Sequence, residues 1–312
     1  MLDNGSYAKE HVVTNCALAL RGTHNTIALT AHSKVGALYL KKLGYNTEEV
    51  YLENIVTRDF LEKTLKTLNA GHRFCGMFGA FGYEFGNASQ GIPTTGETFC
   101  LHVPSKIAHF SETGPMELVT LSVDGVEDSY EPKTFESPLQ GTYEEDLSIK
   151  EFKSLVADIK EDIYKGRFMQ CVLSRQVSHP LTRHPFEIYK KIRQQNPSPY
   201  CFYANFGKQQ LLGASPEMHV KVKQGIAEMK PIAGTIRRSK DPIQDYHQSV
   251  KLLTDPKEIS EHTMLVDLER NDMYRFCEAV QVDAFATLER YPNLFHIVSH
   301  LSGAIKEGIS PL

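Results

Sequence analysis

The chain has 312 residues, enough for one large core or two medium ones, and its 41% hydrophobic and 23% charged residues are ordinary for a water-soluble globular protein. A formal net charge of −4 leaves no basic excess, which argues against a nucleic-acid or acidic-membrane partner. No apolar run approaches the roughly 20 residues of a membrane helix, and the N-terminus carries no signal-peptide pattern. The six cysteines (Cys16, Cys75, Cys100, Cys171, Cys201, Cys277) form no C-x-x-C pair, so a reducing, cytoplasmic setting is expected.

In chain order, Ala17–Arg21 and Asn25–Ala31 read as strands about a Gly22-Thr-His-Asn turn. Val35–Leu43 has helical spacing and ends at Gly44, and Asp59–Asn69 is a second helix stopped by Ala70-Gly71. Between Cys75 and Gly86 glycine alternates with aromatics, where a strand can bend or another backbone can come close. Residues 127–148 are polar, with two prolines and no hydrophobic period, and are taken as a crossing between two parts, 1–145 and 146–312.

Beyond it, Glu151–Lys165 is a helix closed by Gly166, Phe168–His179 a strand, and Pro185–Asn196 a helix. Tyr200–Phe206 with Gln210–Ala214, and Met218–Lys223 with Ile226–Pro231, form strand pairs. Hairpins rather than β-α-β alternation predict an α+β fold with antiparallel sheet.

The most informative helix is Asp255–Asn271. Asp255 is its expected N-cap, Pro256 suits the first turn, and Glu258 stands where a capping box would close. On a wheel of about 100° per residue, Ile259, Met264, Leu265, Val266 and Leu268 share one arc. Glu258, Glu261, His262 and Glu269 fall inside that apolar arc. Carboxylates on a buried face are costly unless paired or liganded. Glu258 and Glu261, three residues apart, are neighbours there, as when a helix offers oxygens to a hard cation. The plain alternatives are capping for Glu258 and a buried salt bridge for Glu261.

Four further segments carry polar groups with competing plain readings. Lys230–Arg238 runs through a Gly234-Thr235 step whose N–H groups and hydroxyl could hold a carboxylate, or which could be an ordinary turn. Glu217, after Ser215-Pro216, is a general-acid candidate or a turn glutamate. His296 lies in an apolar strand where a satisfied core histidine is the commoner outcome, with His300 as its rival. Asn196-Pro-Ser-Pro-Tyr-Cys-Phe-Tyr203 is a rigid turn entering an aromatic strand, which needs no ligand.

Taken together, QCVLSR, NPSPYCFY, LLGASPEM, KPIAGTIRR, KEISEHTMLVDLERND and FHIVSHLSG, in this order between Phe168 and Ile305, resemble the chorismate-utilising enzymes. These include anthranilate synthase component I, aminodeoxychorismate synthase, isochorismate synthase and salicylate synthase. The resemblance implies an α+β fold of two facing antiparallel sheets with outer helices and the site between them. It implies that Glu258 and Glu261 serve a Mg²⁺ holding the ring carboxylate of chorismate, and that Gly234 and Thr235 contact substrate. Glu217 becomes the acid for the departing C4 hydroxyl, and His296 assists near the ring.

Two substitutions discriminate among these relatives. Water-adding members carry a lysine where this chain has Gln170, expected at the substrate, and aminodeoxychorismate synthases commonly carry a nucleophilic lysine where it has Ala233. Ammonia attack at C2 remains, giving anthranilate, or aminodeoxyisochorismate if pyruvate is retained. Ammonia then comes from glutamine through a partner amidotransferase, component II. Pro199, Tyr200 and Cys201 match the L-tryptophan pocket of feedback-inhibited relatives. The family pattern continues past residue 312 with a GTVSGAPK-like segment, a substrate arginine and a further metal glutamate, so the resemblance implies a C-terminally incomplete site. A non-catalytic relative that keeps the fold is the expectation of a different class.

Overall fold

A computed structural model describes residues 11–23, 25–68, 76–90, 92–94, 96–110, 117–120, 122–128, 143–206 and 209–310. The expected stop at Ala70-Gly71, Gly207-Lys208 between the expected strands Tyr200–Phe206 and Gln210–Ala214, and most of the polar crossing lie outside the described residues. Two compact units are present: Met1–Pro132 with Asn196–Leu312, and Lys133–Gln195.

The N-terminal part of the first unit runs β1 (His11–Gly22), β2 (Ile27–Ala31), α1 (Lys34–Lys42), β3 (Glu49–Leu52), α2 (Thr57–Leu68), β4 (Phe78–Phe81), α3 (Tyr83–Ser89), β5 (Phe99–Phe110) and β6 (Glu117–Thr120). The strands form one antiparallel sheet in the order β3-β2-β1-β5-β4, with β6 also on β5. The expected helices at Val35–Leu43 and Asp59–Asn69 are α1 and α2. Their apolar faces supply Val35, Tyr39, Leu40 and Leu61 to a core shared with Leu18, Leu20, Ile27, Leu29 and Leu101. In the glycine-aromatic stretch, a Cβ on Gly79 would stand 2.0 Å from the Cys100 carbonyl oxygen, so β4 closes on β5 because no side chain intervenes.

The second unit contains β7 (Glu144–Glu145), α4 (Ile149–Tyr164), β8 (Val177–Ser178) and α5 (Pro185–Gln195). Ser148 and Glu151 close a capping box at the start of α4. Of the strand expected over Phe168–His179, only Val177–Ser178 forms, paired with β7. A strand needs a partner strand, and among the described residues 168–176 joins none of the sheets, its Gln176 carbonyl accepting only the Asp146 N–H at 3.2 Å beside the β7–β8 pair; Met169 and Val172 are exposed.

The chain returns to the first unit with β9 (Tyr200–Asn205) and β10 (Gln210–Ser215), an antiparallel hairpin. It continues through β11 (Lys221–Lys223), β12 (Ile226–Met229), β13 (Ile232–Arg237), α6 (Pro242–Thr254), α7 (Pro256–Phe276), β14 (Cys277–Arg290) and β15 (Leu294–Ile305). β15 is central: β14 lies along one side, and β13 then β12 along the other. α7 packs on β13, β14 and β15, with Val266 and Met273 meeting Met229, Cys277 and Leu301. The expected α+β architecture with antiparallel sheets is present. Among the described residues no helix is long and apolar enough to cross a membrane.

Candidate active site

The site is organised by a defect in a strand. β13 pairs with β15 as Ile232↔Val298 and then Thr235↔His296, so three steps on β13 face two on β15, a bulge at Ala233-Gly234. Gly234 takes φ +93, and a Cβ there would stand 2.8 Å from Ile297 Cδ1 and 3.4 Å from Glu258 Oε2. Only glycine fits, for both reasons. The bulge turns Thr235 so that its Oγ1 lies 2.8 Å from His296 Nδ1.

His296 is buried, which pulls its pKa below the ordinary histidine value, while Glu289 pulls the other way. Glu289 stands opposite His296 in the sheet, and Tyr291 packs edge-on against the imidazole at 4.9 Å while its hydroxyl donates to Glu289 Oε2 at 2.9 Å. That hydroxyl is also 3.5 Å from the Pro216 carbonyl, one residue before Glu217. Glu217 itself is anchored to β13: its Oε1 accepts the Ile232 N–H at 2.9 Å. His300, four residues along β15, sits about 13 Å away by strand rise, partly buried with Nε2 unpartnered among the described residues. Between the two histidines, the one that meets Thr235 is His296.

α7 delivers the carboxylates. Asp255 caps it by accepting from Lys257 N, not from the N–H of Glu258, so the capping box expected for Glu258 does not close. The Glu258 carboxylate instead lies between Gly234 and the Lys257 ammonium, whose Nζ is 3.0 Å from Glu258 Oε1 and 2.8 Å from Glu261 Oε2. The salt bridge considered for Glu261 therefore exists, but to a solvent-facing lysine rather than within a core. His262, between these acids and the sheet, is fully buried. Ser299 Oγ accepts the Ala286 N–H at 2.9 Å and lies 2.6 Å from His262 Nε2. Burial lowers the His262 pKa, and the Ala233 backbone opposes the shift.

Glu269, also placed in the apolar arc by the wheel, is half-buried with Oε2 inaccessible and unpartnered. Burial, helped by Glu217 and Asp272, pushes its carboxyl up to about 7. Leu268, expected on the same arc, is instead exposed. Arg238 is structural: it holds Asp245 at 2.9 Å and stacks on Phe295, and the contact keeps the Asp245 carboxyl low.

The fold thus brings together Glu217, Gly234, Thr235, Glu258, Glu261 and His296. Gln170 is an exposed residue of the second unit, so its place at this site rests on the resemblance. Pro199 precedes β9 and Tyr200 and Cys201 open it, with Cys201 Sγ donating to the Ser198 carbonyl at 3.3 Å. Lys257 was legible as an i,i+4 partner of Glu261; Tyr291 and Glu289 become visible only once strand pairing is known. Among the described residues no group of three or more His, Cys, Asp or Glu side chains converges as for a metal. The pair Glu258 and Glu261 is what the structure offers, with a cation, the Lys257 ammonium, already between them.

An antiparallel α+β framework thus gathers acids, a buried imidazole and a glycine–threonine bulge at one place. The family described as chorismate binding enzyme matches residues 14–312, and the chain belongs to it. Among curated relatives, an anthranilate synthase component 1 of Neisseria gonorrhoeae is 33% identical over 267 residues, covering 75% of this chain and 54% of that protein. One of Spirochaeta aurantia is 44% identical over 158 residues, covering 50% of this chain and 33% of that protein. The chain thus spans about half the length of such relatives, or less. Anthranilate synthase component I from Streptococcus pneumoniae shares the fold with a TM-score of 0.75 at 23% identity, over 99% of this chain and 72% of that one. A menaquinone-specific isochorismate synthase from Escherichia coli follows at 0.62 and 13% identity, over 96% of this chain and 72% of that one.

Proposed function

We propose that the chain supplies the larger part of an anthranilate synthase component I, converting chorismate and ammonia to anthranilate, pyruvate and water. The observation that carries the reading is the partly buried Glu258–Glu261 pair, with Glu258 beside the Gly234 bulge. Its donor set fits Mg²⁺, which takes one or two protein carboxylates and completes its shell with water and substrate oxygens. The Lys257 ammonium between the two carboxylates marks where positive charge is accommodated. When bound, Mg²⁺ supplies charge neutralisation at the substrate ring carboxylate.

The remaining steps belong to side chains. The Gly234–Thr235 segment orients the carboxylated ring through N–H groups and a hydroxyl. Glu217, tethered to Ile232, gives a proton to the departing C4 hydroxyl as ammonia adds at C2. His296, held neutral by burial and fixed by Thr235, is suited to accept a proton near the ring as pyruvate leaves. Gln170 and Ala233 favour this route, since neither supplies the lysine that water addition or covalent capture would use. Ammonia would come from a glutamine amidotransferase partner, component II, in tryptophan biosynthesis in the cytoplasm, with Pro199–Cys201 contributing to an L-tryptophan effector pocket.

The test is incubation of a version of the protein continued through the family's C-terminal segments with chorismate, ammonium and Mg²⁺. Fluorescent anthranilate is expected. Non-fluorescent aminodeoxyisochorismate would assign the other amination product, and neither product nor chorismate binding would point to a non-catalytic relative.

A further inference from the structure

We propose that Lys257 is the resident cation of the Glu258–Glu261 pair in the metal-free protein, and that a divalent ion binds there by displacing its ammonium group. The proposal rests on the divalent-cation reading of that pair and adds a competitor that the reading does not contain. Lys257 Nζ touches one oxygen of each acid, at 3.0 Å and 2.8 Å, and so bridges the pair. A Mg²⁺ ligated by both carboxylates, at about 2.0–2.1 Å from its oxygens, draws on the same two charged groups. Two positive ions held that close repel each other.

Exposure decides which partner moves. The lysine side chain is 70% exposed, whereas those of Glu258 and Glu261 are 22% and 33% exposed. The acids are held against the fold, Glu258 by its contact with Gly234, while the lysine reaches over them from solvent on a flexible four-carbon stem. Exposed ammonium–carboxylate contacts are weak and easily surrendered. Charge points the same way: the lysine cancels one of the two negative charges, and a dication cancels both. Lys257 therefore keeps two neighbouring carboxylates from repelling each other while the site awaits metal, and lowers the apparent affinity of whatever replaces it.

The experiment is calorimetric titration with Mn²⁺ of the 312-residue chain, Lys257→Met, Lys257→Arg and Glu261→Gln, with thermal melts in chelator and in excess Mn²⁺. Lys257→Met is expected to bind Mn²⁺ about threefold to tenfold more tightly than the parent chain. It should also melt lower in chelator yet match the parent when loaded. Lys257→Arg, which keeps a cation, should stay near the parent. Unchanged or weaker binding by Lys257→Met, with the parent binding and Glu261→Gln not, would overturn the displacement and leave the metal pair standing. Equal binding by Glu261→Gln and the parent, or binding by neither the parent nor Lys257→Met, would overturn the metal reading itself and the displacement with it.

Discussion

Helices α4 and α7 invite comparison. α4, of 16 residues, has a closed capping box and a regular amphipathic pattern, yet none of its residues is buried. α7, of 21 residues, has a simpler cap and an apolar arc interrupted by Glu258, Glu261, His262 and Glu269, yet it buries His262, Val266 and Met273 against a sheet. Local sequence quality and tertiary role are therefore separable. Good capping and clean periodicity say that a helix forms; acids and a histidine on the side that packs say where polar partners must be supplied, because those groups are tolerated only with partners.

The comparison can be broken most forcefully at the tie beneath α7. Ser299→Ala would strand the Ala286 N–H and His262 Nε2, both inside the protein. Each buried polar group left unpaired costs about 1–3 kcal/mol, so a loss of about 2–4 kcal/mol is expected by denaturant unfolding. A loss near zero would mean that the buried histidine is not what anchors α7.

Next is the bulge. Gly234→Ala forces a left-handed residue with a methyl against Ile297 and Glu258. It should cost about 1–3 kcal/mol and lower the melting temperature, while leaving α4 in the other unit untouched.

Glu269 sharpens the contrast through pH. Its carboxyl is raised from 4.5 to about 7 in the fold. A raised acid favours the folded state below its unfolded pKa, and that advantage is lost as pH rises through the folded value. Glu269→Gln should therefore stabilise the protein by about 1–2 kcal/mol near pH 8, after allowance for solvent screening, and by little near pH 5. Melts at the two pH values check it, and an equal gain at both would refute the account. The smallest effect belongs to α4: Ser148→Ala removes the cap of an exposed helix and should cost about 1 kcal/mol or less, read as local helicity by circular dichroism.

Much of this was legible beforehand, for identifiable reasons. The helices α1, α2, α4, α5 and α7 announced themselves through period and caps, and the hairpins through their turns. Of the site, the acids of α7 were visible because they violate the periodicity around them. Thr235 and His296 could be nominated individually, but their contact depends on a bulge, which adjusts register between strands 61 positions apart and leaves no mark in local pattern. Leu268 misled because a wheel assigns a face without knowing how much of it the sheet covers. The run 168–176 misled because strand propensity cannot supply a partner strand.

Glu258 and Glu261, with Gly234 and Thr235, are proposed to hold a divalent ion that in turn holds chorismate. Calorimetric titration with chorismate of a version continued through the family's C-terminal segments, with and without Mg²⁺, tests it most directly. Binding that requires Mg²⁺ and is lost in Glu261→Gln is the predicted result. Chorismate binding that is indifferent to both Mg²⁺ and Glu261→Gln would contradict it.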